Sequence, residues 1–171
     1  MEKIKLQIYT WPEKILRKKT RKISIVDEHI RILLSDMVSL MRISKGVGLA
    51  ANQVGLDLSL VVAEIDGEVL KLVNPRIEKC EGSISLLEGC LSFPGIELEI
   101  KRKNKILVSG LDQDGQIVNR EFQGFGAVVL QHEIDHIQGI VFIDRASFWQ
   151  KLKTRPKLKK ISQKTQNELY K

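Results

Sequence analysis

The chain has 171 residues, 43% of them hydrophobic and 29% charged, a composition typical of a globular protein with a core of its own. Two cysteines are too few for a disulfide framework in a chain of this length, and no apolar run approaches the length of a membrane span. We therefore expect a cytoplasmic protein whose thiols are free to bind a metal or to pack in the core.

The net charge of +7 comes from the C-terminal part of the chain. Residues 151–171 hold eight Lys or Arg and one acid, whereas residues 1–150 are neutral. We predict a single catalytic domain over 1–150 and a basic tail, helical in part, over 151–171. A solvated tail and a polyanion contact both fit this charge, and the lack of aromatic interleaving among the clustered basic residues favours the first.

Two helices are predicted before residue 45. Thr10, Pro12 and Glu13 form a capping-box pattern, which predicts a short helix ending near Arg17. Asp27 is predicted to cap a longer helix. The apolar residues on the core-facing side of that helix are Ile30, Leu33, Leu34, Met37, Leu40 and Met41.

Residues 46–53 form a glycine-rich loop of sequence Gly-Val-Gly-Leu-Ala-Ala-Asn-Gln. Gly46 and Gly48 allow close approach of another group to the backbone, and Gln53 has an uncharged side chain with two N–H donors. The loop lacks the Lys-Ser/Thr of a phosphate-binding loop, so by itself it indicates only a tightly packed turn.

A pattern typical of strands begins at Leu58. A hairpin is predicted from 58–65 and 68–73 around Asp66-Gly67, and Asn74-Pro75 is predicted to end its second strand. A weaker strand pattern over 77–87 is broken at Glu81-Gly82.

Further strands are predicted toward the C-terminus. Residues 96–101 alternate between apolar and charged, and a second hairpin joins 106–111 to 117–122. Residues 140–143 are predicted as a last short strand, followed by a helix from about 147 that Pro156 interrupts. Hairpin-joined strands flanked by helices predict an α+β fold, with antiparallel β-sheets packed around a central metal-binding helix and a further helix near the N-terminus.

That central helix contains the H-E-x-x-H pattern of water-activating metal hydrolases. Positions i and i+4 share one face of a helix, so His132 and His136 can bind one ion, and Glu133 is placed beside its open position to take a proton from water. Gly139 follows as a stop signal. Two chance histidines on an ordinary helix are the competing interpretation.

A catalytic site of this kind needs a third protein ligand. The candidates are His29, Cys80, Cys90 and the carboxylates. Cys90 is favoured because it follows Gly89 between two strand-like segments, and a thiolate with two imidazoles suits zinc or ferrous iron. Cys80 lies among charged residues, and for it we favour a structural role; His29 is expected to be exposed.

Residues 46–53, 88–92 and 131–136 together resemble the three motifs of the peptide deformylase family in order and spacing. The likeness extends to 72–75 and 111–115. It implies a metal-dependent hydrolase that removes the formyl group from the N-terminal methionine of newly synthesised chains during translation and releases formate.

The resemblance also implies which residues hold the metal. They are Cys90, His132 and His136, around one divalent ion. Ferrous iron is the first expectation, and zinc, nickel or cobalt are able to occupy the same position.

The remaining implied roles concern the reaction and its substrate. Glu133 is the implied general base and then acid, and the side-chain amide of Gln53 and the backbone N–H of Leu91 are the implied oxyanion donors. The implied substrate-lining residues are Val47, Gly48 and Gly89.

Some features leave alternatives open. Phe93 stands where the family commonly has Ile or Val, and either reshapes the substrate entrance or packs in the core. In some members a C-terminal helix contacts the ribosome, and the basic tail permits the same contact here. The competing functions are an H-E-x-x-H metallopeptidase and a metal-stabilised RNA-binding module; contact with DNA or a membrane is not expected.

Overall fold

The computed structural model describes residues 6–169, and side chains as far as residue 165. The strands are β1 (Gly48–Ala50), β2 (Leu60–Ile65), β3 (Glu68–Glu81), β4 (Ile84–Gly89), β5 (Glu97–Arg102), β6 (Lys105–Leu111) and β7 (Ile117–Gln123). The α-helices are α1 (Glu28–Ile43), α2 (Phe125–Ile137), the single-turn α3 (Phe142–Arg145) and α4 (Phe148–Leu169). Short 3-10 helices cover Lys14–Arg17 and Ala51–Val54. None of the helices in this part of the chain has the length and apolar composition that a membrane crossing requires.

The strands form two antiparallel sheets, which confirms the predicted α+β class. Five strands pair in the order β1-β2-β3-β6-β7, and β4 pairs with β5 alone. Both predicted hairpins are present. Asp66 and Gly67 take positive φ between β2 and β3, and Asp112 Oδ1 accepts from the backbone N–H groups of Asp114 and Gln116 between β6 and β7.

The five-stranded sheet lies between α1 and α2. Side chains alternate between the faces of a strand, so Val61 and Ala63 of β2 pack in the cluster with α2 while Leu60 and Val62 pack in the cluster with α1. The predicted cap of α1 is confirmed, because Asp27 Oδ1 accepts from Ile30 N at 3.0 Å. The predicted apolar face of α1 is buried except for the half-buried Leu40, and His29 is exposed.

The capping box predicted at Thr10 is wrong. The short helix ends at Arg17 as predicted, but it is a 3-10 helix that begins at Lys14, and no side chain caps its start. The hydroxyl of Thr10 contacts Thr165 of α4 instead. The Thr10 hydroxyl, which the local pattern assigned to a helix cap, therefore bonds a residue that is distant in sequence.

The strand end predicted at Asn74-Pro75 is also wrong, because β3 continues to Glu81. The pairing register with β6 shifts between Val73 and Arg76, so the proline, which has no N–H, lies in a bulge. Asn74 has φ 51, and its side-chain amide bonds both the N–H and the C=O of Ile23. These bonds stabilise the irregular backbone and allow the strand to resume.

Residues 140–143 do not form the predicted strand. Helix α3 begins at Phe142, and the Asp144 carboxylate accepts from Val141 N at 3.0 Å at its start. Val141, Phe142 and Ile143 are buried in one cluster with β5. A short apolar run suits a buried helical turn as well as a strand, and here the capping carboxylate decides between them.

The interruption predicted at Pro156 is absent. Helix α4 runs from Phe148 through Pro156 to Leu169. Pro156 itself is exposed, while Leu158 and Ile161 beyond it pack against the cluster around Phe93. Packing of the turns beyond the proline therefore compensates for the hydrogen bond that the proline cannot donate.

Candidate metal centre and active site

Helix α2 carries both histidines and the glutamate of the H-E-x-x-H pattern. It is buried along its whole length from residue 126 to residue 137. His132 and His136 lie on one face with ring centroids 5.0 Å apart, as the i, i+4 spacing requires. The helix therefore presents two imidazoles to one point inside the protein.

Cys90 reaches the same point from the loop after β4. Its Sγ lies 3.2 Å from His136 Nε2, and the sulfur and the two ring nitrogens all lie within 4.8 Å of one another. A thiolate and two imidazoles in this arrangement form a three-ligand set that leaves a fourth position of a tetrahedral ion open. Cys80 and His29, the other candidates of these two residue types, are exposed on β3 and α1.

A buried ion-pair network holds His132, one of the candidate metal ligands. Arg102 forms a bidentate pair with Glu88, with N–O distances of 2.7 and 3.0 Å, and its Nη1 also bonds Asp135 Oδ2 at 2.5 Å. Glu88 Oε2 in turn lies 2.8 Å from Nδ1 of His132. This contact fixes the ring and directs its Nε2 toward Cys90. Arg145 extends the network by a bidentate pair with Asp135.

The charges in this network stabilise one another. Burial opposes the charge on Glu88, but hydrogen bonds from Arg102 and His132 outweigh it, and the pKa of the Glu88 carboxyl is lowered. Burial likewise opposes the charge on Arg102, and Glu88 and Asp135 together raise its pKa. Glu88 is therefore a carboxylate at neutral pH and a strong acceptor for the His132 ring.

Glu133 differs from Glu88 in having few partners. Burial raises the pKa of its carboxyl to about 7, and within residues 6–165 no protein group hydrogen-bonds its buried Oε2. A Cβ at position 48 would lie 2.5 Å from Glu133 Oε1, so only glycine fits there. The loop of residues 46–53 thus closes directly over a carboxyl group whose second oxygen is available for proton transfer.

Gln53 faces the metal-ligand group from the opposite side. Its Oε1 accepts from Ala50 N at 2.8 Å, which fixes the orientation of the amide. Nε2 then points to Ser92 Oγ at 3.2 Å and to Cys90 Sγ at 3.5 Å. The structure therefore directs a neutral N–H donor toward the same point as the three candidate ligands.

A cleft of about 430 Å³ opens onto this group. The predicted lining residues Val47, Gly48 and Gly89 all border it, and so does Leu91. Sequence reasoning missed its apolar wall, formed by Leu86, Leu87, Phe125, Val128 and Val129. Phe93 borders the cleft but is 1% exposed and stacks on Trp11 with centroids 5.7 Å apart, so it packs in the core.

The ion-pair network was also missed, although the sequence contains a signal for it. Leu98 and Ile100 alternate as the buried positions of β5, and the same period places Arg102 on the buried face. A buried arginine requires an acidic partner. Arg102 has two acidic partners, Asp135 and Glu88, and Glu88 lies two residues before Cys90.

Several known proteins similar to this chain are peptide deformylases. The family model for polypeptide deformylase matches residues 5–152. A peptide deformylase of Aquifex aeolicus is 42% identical over 160 residues, covering 90% of this chain and 95% of that protein; one of Syntrophomonas wolfei is 44% identical over 140 residues, covering 82% and 92%.

Solved structures give the same result. The crystal structure of the Thermus thermophilus peptide deformylase matches with a TM-score of 0.88 at 35% identity, covering 92% of this chain and 98% of that one. The structure of the Legionella pneumophila peptide deformylase matches with a TM-score of 0.86 at 37% identity, covering 92% and 95%.

Replacing Glu88 by Gln is expected to weaken metal binding by roughly 10- to 100-fold, because the His132 ring loses its charged acceptor. Competition with a chelator at neutral pH measures this affinity. Glu99→Gln, which changes an exposed residue of β5, is the matched control and should bind metal as the unaltered chain does. Equal affinity in the Glu88 variant and the control would contradict the role given to the network.

Proposed function

The chain belongs to the polypeptide deformylase family and is a peptide deformylase, and from this we propose a residue-by-residue account of how it removes the formyl group from the N-terminal methionine of nascent chains. The observation that carries this account is the convergence of Cys90, His132 and His136 beside Glu133 and Gln53. These residues come from three segments that are distant in sequence: residues 46–53, the loop after β4 and helix α2.

We propose that Cys90, His132 and His136 bind the catalytic ion and that this ion is ferrous iron. The donor set supports a site for iron or zinc, because one thiolate and two imidazoles suit both ions, while magnesium and calcium prefer oxygen donors. When bound, such an ion polarises the formyl oxygen and lowers the pKa of water toward neutrality.

Glu133 is proposed to move the proton. Its pKa of about 7 lets the carboxylate accept a proton from water and the resulting acid donate it to the leaving amine at neutral pH. The protonated form is also the one that its dry surroundings favour. One residue thereby acts as base in the first step and as acid in the second.

Gln53 and Leu91 are proposed to stabilise the oxyanion that forms as the formyl carbon is attacked. The Gln53 Nε2 donor is held by the bond between Oε1 and Ala50 N, so it needs no reorganisation during the reaction. The backbone N–H of Leu91 follows the ligand Cys90 directly in the chain. Loss of one such donor raises the barrier in other enzymes by about 2.7–4 kcal/mol.

The substrate is proposed to lie along the cleft with its backbone against Val47, Gly48 and Gly89. Glycines at two of these positions allow a peptide backbone to approach closely. The exposed side chains of Leu87 and Phe125 offer apolar surface for a side chain such as methionine.

Replacing Glu133 by Ala is expected to leave metal content unchanged and to abolish formate release from a formyl-Met peptide. The reason is that the metal ligands remain while the group that transfers the proton is lost. Metal analysis and formate release are measured on the same sample, and retained turnover would remove Glu133 from the mechanism.

The same assay with matched substrates distinguishes deformylation from peptide-bond hydrolysis. The unaltered enzyme should release formate from a formyl-Met peptide and leave the unformylated peptide of the same sequence intact. Internal cleavage of the unformylated peptide would instead support a metallopeptidase.

The iron-loaded enzyme is expected to lose activity in air, while the zinc-loaded enzyme retains it, because a thiolate bound to a redox-active ion is oxidised readily. Activity over time and the mass of the Cys90 peptide, which gains oxygen on oxidation, measure the effect. Cys80→Ser is the control, since it removes the exposed thiol and should leave the loss of activity unchanged. Stable activity in air with iron as the only metal present would contradict the expected oxidation of the iron site.

The partner proposed for α4 is the ribosome, in the cytoplasm, where nascent formylated chains arise. Exposed basic residues of α4 include Lys153, Arg155 and Lys159. The helix also begins with the exposed rings of Phe148 and Trp149, so aromatic residues do accompany this charge. Basic and aromatic side chains on one exposed helix suit RNA, which offers phosphates and unstacked bases.

Replacing Lys153, Arg155 and Lys159 by Ala together is expected to weaken ribosome binding and to reduce its salt dependence by a slope of roughly two, since each phosphate contact contributes about 0.7–0.9. Co-sedimentation over a series of salt concentrations measures this slope. The control replaces the exposed Lys22, Lys79 and Lys101, and both variants should release formate from short peptides normally. Equal binding by the two variants would exclude α4 as the contact.

A further inference from the structure

Residues 9–11 connect the two loops that form the active site. Tyr9 N donates to the carbonyl oxygen of Gln53 at 2.8 Å, and Trp11 N donates to that of Ser92 at 3.0 Å. One loop carries the candidate oxyanion donor, and the other follows the candidate ligand Cys90. We call residues 9–11 the strap, because their backbone bridges these loops.

The strap is held on its other side by α4. Thr165 Oγ1 lies 2.8 Å from Thr10 Oγ1 and 3.0 Å from the carbonyl oxygen of Trp11. Thr165 is 8% exposed, although it lies in a helix whose other face is strongly basic. Leu158 and Ile161 of the same helix pack against the cluster around Phe93. Helix α4 is therefore seated against the part of the fold that contains the strap.

The side chain of Trp11 supports the same arrangement. Its ring stacks on Phe93, three residues after Cys90, and the Arg17 guanidinium lies 5.3 Å from the ring centroid. Arg17 also pairs with Asp144, which caps α3. The strap is thus fixed by its backbone to the two loops and by its side chains to the core beneath them.

We propose that Thr165 is a positioning residue for the oxyanion site, acting through the strap on the separation of Gln53 and Leu91. This inference rests on the roles proposed above for Gln53 and Leu91. A displacement of well under 1 Å between donors and reacting carbon slows catalysis, while substrate affinity depends mainly on the cleft walls. Helix α4 therefore contributes to catalysis from the face opposite to its basic surface.

Replacing Thr165 by Val, which has nearly the same shape, is expected to lower kcat about fivefold while KM and metal content stay within twofold, since about one net hydrogen bond is lost. Thr165→Ser keeps the hydroxyl and should restore kcat. The matched control is Thr154→Val. Thr154 is 4% exposed on the same helix, and among residues 6–165 its hydroxyl bonds only the carbonyl oxygen of Gln150. The Thr154→Val variant should therefore have a lower thermal stability and an unchanged kcat.

Combining Thr165→Val with Gln53→Ala distinguishes positioning from general weakening of the fold. If Thr165 acts through Gln53, the double variant should be less than twofold slower than Gln53→Ala alone. A full fivefold further loss would overturn the inference, as would equal kcat losses in the Thr165 and Thr154 variants or no rescue by Ser. An unaltered kcat in Gln53→Ala would instead contradict the role proposed for Gln53.

Discussion

The burial of α2 from residue 126 to residue 137 is the constraint to which the rest of the site responds. Its polar side chains are Gln131, His132, Glu133, Asp135 and His136, and none of them is exposed to bulk water. Each buried polar group needs a partner inside the protein. Gln131 bonds the backbone of Lys103, Asp135 bonds Arg102, and Nδ1 of His132 bonds Glu88. Among residues 6–165, Oε2 of Glu133 and Nδ1 of His136 have no such partner, and the histidine nitrogens that face Cys90 are free of the network.

The same burial explains the layered architecture. A helix that is buried on all its faces must be covered on every side, and the five-stranded sheet, Arg102 of β5 and Phe142 of α3 share this task. The loops at the ends of these elements then meet at the C-terminal half of α2, where the H-E-x-x-H residues lie. Residues 46–53 approach it at Gly48, and the loop after β4 approaches it at Cys90. The site therefore combines one rigid helix with two loops whose spacing depends on contacts elsewhere.

The sequence predicted the parts that local patterns determine. Asp27 and the apolar face of α1, the turn at Asp66-Gly67 and the i, i+4 histidines follow from residue type and spacing alone. The errors arose where distant contacts override a local signal: Thr10 bonds Thr165 instead of capping a helix, and packing carries α4 through Pro156. Three motifs together predicted residues that the structure brings together. The partners of those residues were missed, because the pairing of Arg102 with Glu88 and Asp135 depends on tertiary structure.

The contact between Thr10 and Thr165 has a consequence for how the molecule is made. The two residues are separated by 155 positions. Because the chain is synthesised from its N-terminus, Thr10 is made long before Thr165. At an elongation rate of about 5–20 residues per second, this delay is on the order of ten seconds or more. Until then the N-terminal half of the chain can form its local hairpins and α1, but the contact between Thr10 and α4 is missing. Maturation of this catalyst is consequently a late event in its own translation.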